Sequence, residues 1–144
     1  MRGDGVPRVT VPVHKGDVVY VIADAVTNAS TGPIEVIDLR PESSSVGLAF
    51  TGAFVEGSSV RQISWVGSVS EEATMVKAQD VVPFAVTPMA AGASADQWLL
   101  RFSVQAEPAP ELTASGLRVT YRQDGQEWVE MLNQEVVVQA ADRP

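Results

Sequence analysis

Apolar and polar residues alternate with a period of two along most of the chain, which is the pattern of half-buried β-strands. The clearest alternation runs over 98–106, where Trp98, Leu100, Phe102 and Val104 share one phase and mostly polar residues occupy the other. This segment is therefore predicted to be a strand that turns Trp98 and the residues in phase with it into the core.

Other segments carry weaker strand patterns. Segment 9–13 contains Pro12, which lacks a backbone donor, so this strand is predicted to lie at a sheet edge. Segment 18–27 is apolar on both phases, which predicts a central strand or a bulged one whose phase switches. The remaining predicted strands are 34–39, 46–55, 60–66, 81–86, 117–122, 126–132 and 136–138.

Turn residues separate these segments. Asn28 ends one strand, and its side chain is expected to bond the local backbone before Pro33 opens the next strand. The run 26–36 is typical of the first hairpin of an immunoglobulin-like β-sandwich. Asp124 and Gly125 suit the positive φ of a two-residue hairpin turn, and His14 begins another turn that ends at residue 17.

Segment 67–83 has no clear period and is predicted to be a long connection. Its residues 70–78 allow one or two helical turns, with Ser70 as N-cap and the acidic Glu71 and Glu72 in the first turn. Segment 88–95 is predicted to be a loop of small residues. The proline-rich stretch 107–111 excludes regular ladder pairing.

The composition favours one all-β domain. The chain has 144 residues, with 24 valines and 17 alanines against 7 leucines, and β-branched residues suit pleated, half-buried surfaces. We therefore predict a single immunoglobulin-like antiparallel β-sandwich of about eight to ten short strands. It is expected to span 9–140, between a flexible N-terminal segment (1–8) and a C-terminal tail (141–144).

Charge and composition exclude several classes of partner. The formal net charge of −8 repels phosphate backbones and anionic headgroups, so neither nucleic acid nor a membrane surface is an expected partner. No apolar run reaches the roughly 20 residues that a membrane-spanning helix requires, so direct membrane insertion is not expected either. The chain has no cysteine, which excludes disulfides and thiolate zinc sites but leaves the compartment open.

Several motifs, in their order along the chain, resemble the small immunoglobulin-like β-sandwich proteins of the cell envelope of high-GC Gram-positive bacteria. Those proteins pair an early V-x-N-x-G-x-x-P-V-x-V hairpin with a late V-x-Y-R-x-x-G hairpin. The matching segments are 26–28, 32–36, 82–84, 98–104, 117–122 and Gly125. Many such proteins carry a cysteine near the loop at 107–111, and this chain does not. The resemblance implies an exported, often membrane-tethered, non-catalytic domain.

Candidate catalytic and metal sites are sparse. His14 is the single histidine and lies in a predicted turn, so neither a nucleophilic triad nor a zinc site is expected. No cofactor is expected. Calcium needs only oxygen ligands, and two carboxylate groups are candidates, although neither forms a recognised calcium loop. These groups are Asp17, Asp24 and Asp38, and Glu71, Glu72 and Asp80.

Trp128 is the candidate contact residue for a partner or a sugar. It lies opposite in phase to Val129 and Met131 and is the tryptophan expected to show a face to solvent, whereas Trp98 belongs to the predicted core. The Arg2-Gly3-Asp4 tripeptide is interpreted as a chance match to the integrin motif, and the Asn28-Ala29-Ser30 sequon as a turn.

These patterns, together with the envelope location that the resemblance implies, favour a non-enzymatic β-sandwich domain of the cell envelope, or an extracellular one, that serves protein–protein interaction or structural support. It is expected to act through sheet edges or loops on another protein or envelope component. One alternative is a carbohydrate-binding module, which would require two coplanar exposed aromatic side chains. Another is a cytoplasmic or phage structural sandwich.

Overall fold

Fourteen strands and one helix lie in the part of the chain that the computed structural model describes, residues 2–3, 8–23, 25–57 and 64–141. The helix is α1 (Val69–Ala78). The strands are β1 (Arg2–Gly3), β2 (Arg8–Val13), β3 (Val18–Ile22), β4 (Val26–Thr27), β5 (Ile34–Arg40), β6 (Ser43–Ser44), β7 (Leu48–Glu56), β8 (Ser64–Gly67), β9 (Val81–Pro83), β10 (Thr87–Met89), β11 (Ser94–Ala95), β12 (Trp98–Val104), β13 (Glu111–Gln123) and β14 (Gln126–Ala140). The all-β prediction is confirmed, but the strands are more numerous than the eight to ten predicted.

The strands form three sheets. The six-stranded sheet has the order β10-β5-β13-β14-β2, with β6 also paired to β13. The five-stranded sheet has the order β8-β3-β12-β7-β9, and β1, β4 and β11 form a small third sheet. Neighbours are antiparallel except for β2, which runs parallel to β14. β2 lies at the end of its sheet, as Pro12 predicted.

The main core is formed by side chains of the six-stranded and five-stranded sheets together. β12 contributes Trp98, Leu100, Phe102 and Val104, all buried, and β13 contributes buried residues that include Leu117. The period-two prediction is therefore confirmed over 98–104, two residues short of the predicted end at residue 106, and Trp98 is a core residue at 3 % exposure.

β3 is central, as predicted, but it ends at Ile22 instead of continuing to residue 27. All five of its residues are buried because each face is covered. Val19 and Val21 face the main core, whereas Val18, Tyr20 and Ile22 belong to a second cluster that includes Met75 of α1. Beyond Ile22 the chain leaves this sheet, and β4 pairs with β1 and β11.

A register shift in β5 explains its mixed alternation. Tyr121 pairs with Val36 and Thr120 with Asp38, so Ile37 is the extra residue of a bulge. Val36 and Leu39 are three residues apart, so in a regular strand their side chains would point to opposite faces of the sheet. The bulge reverses the alternation between them, and both side chains therefore reach the core.

Segment 67–83 contains a full helix of ten residues, where the sequence predicted a connection with one or two turns. The predicted N-cap Ser70 is wrong, because Ser68 holds that position. The Ser68 side chain accepts from the backbone N–H of Glu71, and the Glu71 side chain accepts from the backbone N–H of Ser68. This reciprocal capping box requires a carboxylate three residues after the cap, which Ser70 does not have.

Other boundaries differ from the prediction as well. The strand predicted over 117–122 begins at Glu111, which pairs with Gln139, so the exclusion of ladder pairing from 107–111 is wrong at its last residue. The strand predicted over 81–86 ends at Pro83, and the following loop predicted over 88–95 contains β10 and β11. β10 pairs with β5 through Met89 and Ile34, both buried. Short pairings of this kind depend on a neighbouring strand that the local sequence does not reveal.

The hairpin at Asp124 and Gly125 is confirmed, with φ of 52° and 77°. The segments 126–132 and 136–138, predicted as two strands, are parts of the single fifteen-residue strand β14. A register shift between Ser115 and Leu117 absorbs the change of phase, with Gly116 at the shift.

Some predictions fall on residues outside the described ranges. They concern most of the N-terminal segment 1–8, residues 60–63 of a predicted strand, Asp24, and residues 142–144 of the predicted tail. Within that N-terminal segment, Arg2 and Gly3 form β1, and Arg8 begins β2.

Candidate interaction site on strand β14

The first half of β14 is paired with one strand in the described part of the chain, although β1 also contacts β14. β13 pairs with β14 along almost its whole length. On the other side, β2 pairs only with Glu135–Ala140. Between Gln126 and Asn133, no strand pairing on this side is seen among the described residues, which omit 4–7 directly before β2. This stretch of β14 is called the open edge below.

Three large apolar side chains are exposed on the open edge. Trp128 is 49 % exposed, and Val129 and Met131 are each 45 % exposed. The β13 residues Val119 and Thr120, which pair with Glu130 and Val129, are buried. In the hairpin of β13 and β14, the exposed apolar side chains are therefore on β14, whereas the residues opposite them on β13 include buried ones.

The three side chains lie on two faces of the sheet. Residues that pair directly across antiparallel strands point to the same face. Trp128 pairs with Tyr121, which packs against the main core, so Trp128 lies on the core-facing side. Val129 pairs with Thr120 and Met131 with Arg118, on the outer face.

Trp128 is confirmed as an exposed tryptophan and Trp98 as a buried one. Val129 and Met131 are the residues that the sequence analysis missed, because the phase opposite to Trp128 was not treated as exposed. The available signal was the adjacent apolar pair Trp128-Val129, which breaks the alternation of an ordinary half-buried strand. Such a pair is also compatible with a strand buried on both faces, so the sequence alone does not identify an edge.

Charged groups surround the apolar side chains. On the core-facing side, the Tyr121 hydroxyl donates to Glu130 Oε1 over 2.7 Å. Partial burial and this hydrogen bond raise the pKa of Tyr121 to about 12. On the outer face, Arg122 pairs across the sheet with both Glu35 and Glu127, and its Nη1 is 3.8 Å from Glu35 Oε1.

A second polar cluster joins α1 to the five-stranded sheet. Arg101 donates from its Nε and one Nη to the two oxygens of Glu72, over 2.5 and 2.9 Å, and Tyr20 donates its hydroxyl to Glu72 over 2.5 Å. The Arg101 guanidinium lowers the pKa of Glu72, and burial together with the Glu72 carboxylate raises the pKa of Tyr20 to about 12. Arg101 and Tyr20 both donate to the Glu72 carboxylate, so the cluster is best understood as a clamp on the helix.

A small cavity of about 10 Å³ lies beside this clamp, between α1 and β7. Glu56 and Gln79 line it, and each has one buried side-chain oxygen that forms no hydrogen bond among the described residues. The volume is about that of one water molecule, which is too small for an organic ligand.

The candidate calcium ligands are engaged separately. Asp17 accepts from the backbone N–H of His14, Asp38 from Arg40, and Glu71 from Ser68. No group of three or more His, Cys, Asp or Glu side chains that could hold a metal ion lies within the described ranges, which omit Asp24. His14 is exposed in the turn predicted for it.

Asn28 is fully buried, and its side chain is the centre, here called the hub, of a hydrogen-bond network that joins residues 28–32 to residues 89–90. Its Nδ2 donates to the carbonyls of Gly32, Met89 and Ala90, and its Oδ1 accepts from the backbone and hydroxyl of Ser30. The predicted turn bond is confirmed, but the hairpin predicted over 26–36 is wrong, because β4 and β5 lie in different sheets. A glycan on Asn28 is incompatible with this packing. Of the Arg2-Gly3-Asp4 tripeptide, Asp4 lies outside the described residues.

The sequence matches no protein-family model, and no significant relative is found among curated proteins. Within the described residues, the one helix is too short and too polar to cross a membrane.

Proposed function

We propose that the chain is a non-enzymatic, immunoglobulin-like interaction domain of a cell envelope, spanning about 9–140 and binding another protein through strand β14. The observation that carries this proposal is the group of exposed apolar side chains Trp128, Val129 and Met131 on strand β14.

The strand order supports the immunoglobulin-like part of the proposal. In that fold, strands B, E and D are neighbours in one sheet and C, F and G in the other. Taken in chain order as B to G, β3, β5, β7, β12, β13 and β14 have the same distribution: β3-β12-β7 in one sheet and β5-β13-β14 in the other. α1 and the short strands β8 to β11 are then additions to this frame.

The composition of the open edge supports a protein partner. Tryptophan and methionine are enriched in the centres of protein interfaces, and tryptophan is over-represented among the residues that dominate binding energy. Soluble proteins usually protect exposed strand edges with charges, prolines or bulges. Segment 126–133 carries two such charges, Glu127 and Glu130, but no proline, and it presents the adjacent apolar residues Trp128 and Val129.

Site-specific photocrosslinking tests the interaction. A photoreactive amino acid at Val129, in the protein expressed from its native gene, is expected to give a discrete crosslinked species. The control position is Val69, which is 64 % exposed on α1, and α1 packs on the other large sheet. Absence of an adduct at position 129, or the same adducts at both positions, would contradict the proposal.

The envelope location is supported by the sequence resemblance alone and has its own test. A protease added to intact cells is expected to cleave the native protein while a cytoplasmic marker stays intact. Protection until the cells are lysed would assign the domain to the cell interior and favour a cytoplasmic or phage structural role.

One observation favours the carbohydrate-binding alternative. Trp128 and Tyr121 pair directly across β13 and β14 and so share one face of the sheet, beside the Glu130 carboxylate. Aromatic faces of this kind stack on sugar rings. A glycan array probed with the intact domain tests it. A reproducible glycan whose binding disappears in Trp128→Ala, with the unfolding temperature unchanged, would replace the protein-interaction proposal.

A further inference from the structure

We infer that the small cavity between α1 and β7 binds a single monovalent cation of the size of sodium, which joins the buried Glu56 carboxylate to the C-terminal end of the helix. The cavity lies on the five-stranded sheet, whereas the proposed interaction site is on β14 of the six-stranded sheet. The inference therefore goes beyond the proposed function and does not depend on it.

The Glu56 carboxylate is the group that requires a cation. Glu56 is the last residue of β7 and is 2 % exposed. Its Oε1 forms no hydrogen bond with a described residue, and no ion pair of Glu56 is found within the described ranges. Burial of a carboxylate is costly unless a positive charge or hydrogen-bond donors surround it. A positively charged group beside Oε1 is therefore expected.

A second oxygen in the same cavity has the same requirement. Gln79 contributes its Oε1, which is also buried and forms no hydrogen bond in the described part of the chain. An amide oxygen and an ionised carboxylate are both acceptors, so neither satisfies the other. They line one cavity of about 10 Å³, which has room for one ion or one water molecule. The occupant has to attract two oxygens at once.

The surrounding charges favour a cation over a water molecule. Gln79 is the C-cap of α1, and the C-terminal end of a helix carries partial negative charge. A Cβ atom on Gly57 would collide with the Asp80 carboxylate, so a second acid lies beside the residue that follows Glu56. Lys77 is exposed in the last turn of α1 and forms no ion pair with either acid. A water molecule would supply hydrogen bonds but no positive charge.

The small volume and the single buried carboxylate favour a monovalent ion. Calcium takes about six to eight oxygen ligands, and no group of three or more acidic, histidine or cysteine side chains that could hold a metal ion lies within the described ranges. Monovalent ions are bound largely by neutral oxygens, including those at helix ends. Here the Gln79 amide and the Ser64 hydroxyl line the cavity together with Glu56. One positive charge then balances one carboxylate.

The cavity has a short route to solvent. Trp65, Met75 and Gln79 line it and also line an open groove on the surface beside α1. Movement of these side chains is enough to admit a small ion. On the inner side, Val81 and Leu99 complete the lining and are buried, so the attraction between the ion and Glu56 is weakly screened by water.

Thermal unfolding of the intact chain in sodium chloride and in choline chloride at equal ionic strength tests the inference. The protein is first dialysed against a Tris buffer free of alkali-metal ions. Sodium is expected to raise the unfolding temperature saturably, by about 5–10 °C at a concentration a hundred times its dissociation constant, because it binds the folded state alone. Choline is too large for the cavity and is expected to produce only the general effect of salt.

Three variants separate the bound ion from other sources of stability. Glu56→Gln keeps the shape of the side chain without its charge and is expected to abolish the sodium-specific rise. Gln79→Glu adds a second carboxylate, so its response is expected to saturate at about tenfold lower sodium concentration. The control Glu107→Gln removes an exposed carboxylate that does not line the cavity and is expected to keep the wild-type response.

The relaxation of ²³Na measured by NMR gives a test that does not depend on the folding of Glu56→Gln. Titration of the wild-type protein is expected to broaden the sodium signal in proportion to the bound fraction. Gln79→Leu, which replaces the amide with an apolar side chain of similar size, is expected to remove this broadening. Equal broadening by the wild type and Gln79→Leu would contradict binding in the cavity.

Other results would also overturn the inference: equal stabilisation by sodium and choline, a sodium-specific rise that persists in Glu56→Gln, or no saturable broadening with the wild type. A rise that appears only in Arg61→Gln would mean that Arg61, which lies outside the described ranges, supplies the positive charge. Destabilisation by Gln79→Glu at every sodium concentration would assign the cavity to a water molecule. None of these outcomes bears on the photocrosslink at position 129.

Discussion

Glu72 and Arg101 form a two-pronged ion pair that fastens α1 to the middle of the five-stranded sheet. The pair has N–O distances of 2.5 and 2.9 Å, and it is largely shielded from solvent by its surroundings. Arg101 also donates to Thr51 on β7, and its guanidinium lies 6.0 Å from the centre of the Tyr20 ring. The helix is thus held by a polar clamp in addition to the burial of Met75.

Replacing Glu72 with glutamine is expected to destabilise the protein and to change its response to acid. The pKa of Glu72 is below its ordinary value of 4.5 in the folded state, so the carboxylate contributes stability above pH 4.5 that is lost as the pH falls through the folded-state pKa. Loss of the charged hydrogen bonds should cost about 1–3 kcal/mol at pH 7. The measurement is urea unfolding between pH 7 and pH 3.

In that series, the difference between wild type and Glu72→Gln should shrink as the pH falls below 4.5. The control Glu107→Gln removes an exposed carboxylate and should follow the wild-type profile. A constant difference at all pH values would show that Glu72 acts through packing and not through its charge.

Both tyrosines are expected to ionise well above pH 10 in the folded protein. The chain has two tyrosines, and partial burial with a hydrogen bond to a carboxylate raises the pKa of each to about 12. Stability from these groups is present below pH 10 and is lost as the pH rises towards 12. Absorbance at 295 nm during a native-state alkaline titration measures the midpoints, with Tyr20→Phe as the variant that isolates Tyr121. A full one-tyrosine step near pH 10 would contradict this expectation.

Ser68→Ala and Ser70→Ala distinguish the true helix cap from the one suggested by the sequence. Ser68→Ala removes the side-chain acceptor for the Glu71 N–H and should cost about 1 kcal/mol. Ser70→Ala removes only an exposed hydroxyl contact to Ser68 and should cost less than about 0.5 kcal/mol. Chemical denaturation of both variants gives the comparison, and equal costs would argue against the assigned cap.

Asn28→Ala is expected to be strongly destabilising. It leaves the carbonyls of Gly32 and Met89 and the backbone of Ser30 without their partner in a buried position, which should cost about 2–4 kcal/mol. Asn28→Asp keeps the acceptor but loses the donors and places a charge among carbonyls, so it should be no milder. The matched control is Asn133→Ala, an exposed asparagine on β14. A shift in thermal unfolding as small as the control's would contradict the role of Asn28 as a hub.

Trp98→Ala and Trp128→Ala are expected to differ sharply in stability. Trp98 packs edge-on against Phe84, with ring centres 5.6 Å apart, so truncation leaves a cavity and should cost about 3–5 kcal/mol. Trp128 is half exposed and its truncation should cost less than about 1 kcal/mol. Equilibrium unfolding of the two variants measures both values. A comparable loss in Trp128→Ala would mean that this residue serves the fold and not a partner.

The sequence by itself determined the β class, the strand 98–104 with Trp98 in the core, the edge position of β2 and the turn at Asp124-Gly125. Each follows from local rules: the side chains of a strand alternate, proline lacks a donor, and positive φ suits glycine. The cap on α1 was also readable, because Ser68 and Glu71 have the spacing of a capping box, but the interpretation favoured Ser70.

Only the tertiary structure decided which residues of β14 face solvent. Trp128, Val129 and Met131 have the composition of a buried strand, yet nearly half of each side chain is exposed on the two faces of the sheet. The same holds for the clamp, since Glu72 and Arg101 are 29 residues apart in the chain and meet through the packing of α1 on β12. The alternation of side chains along a strand determines which residues share a face of the sheet. Burial and ion pairing depend on which other elements pack against that face. Those elements come from segments distant in sequence, so the local pattern does not reveal them.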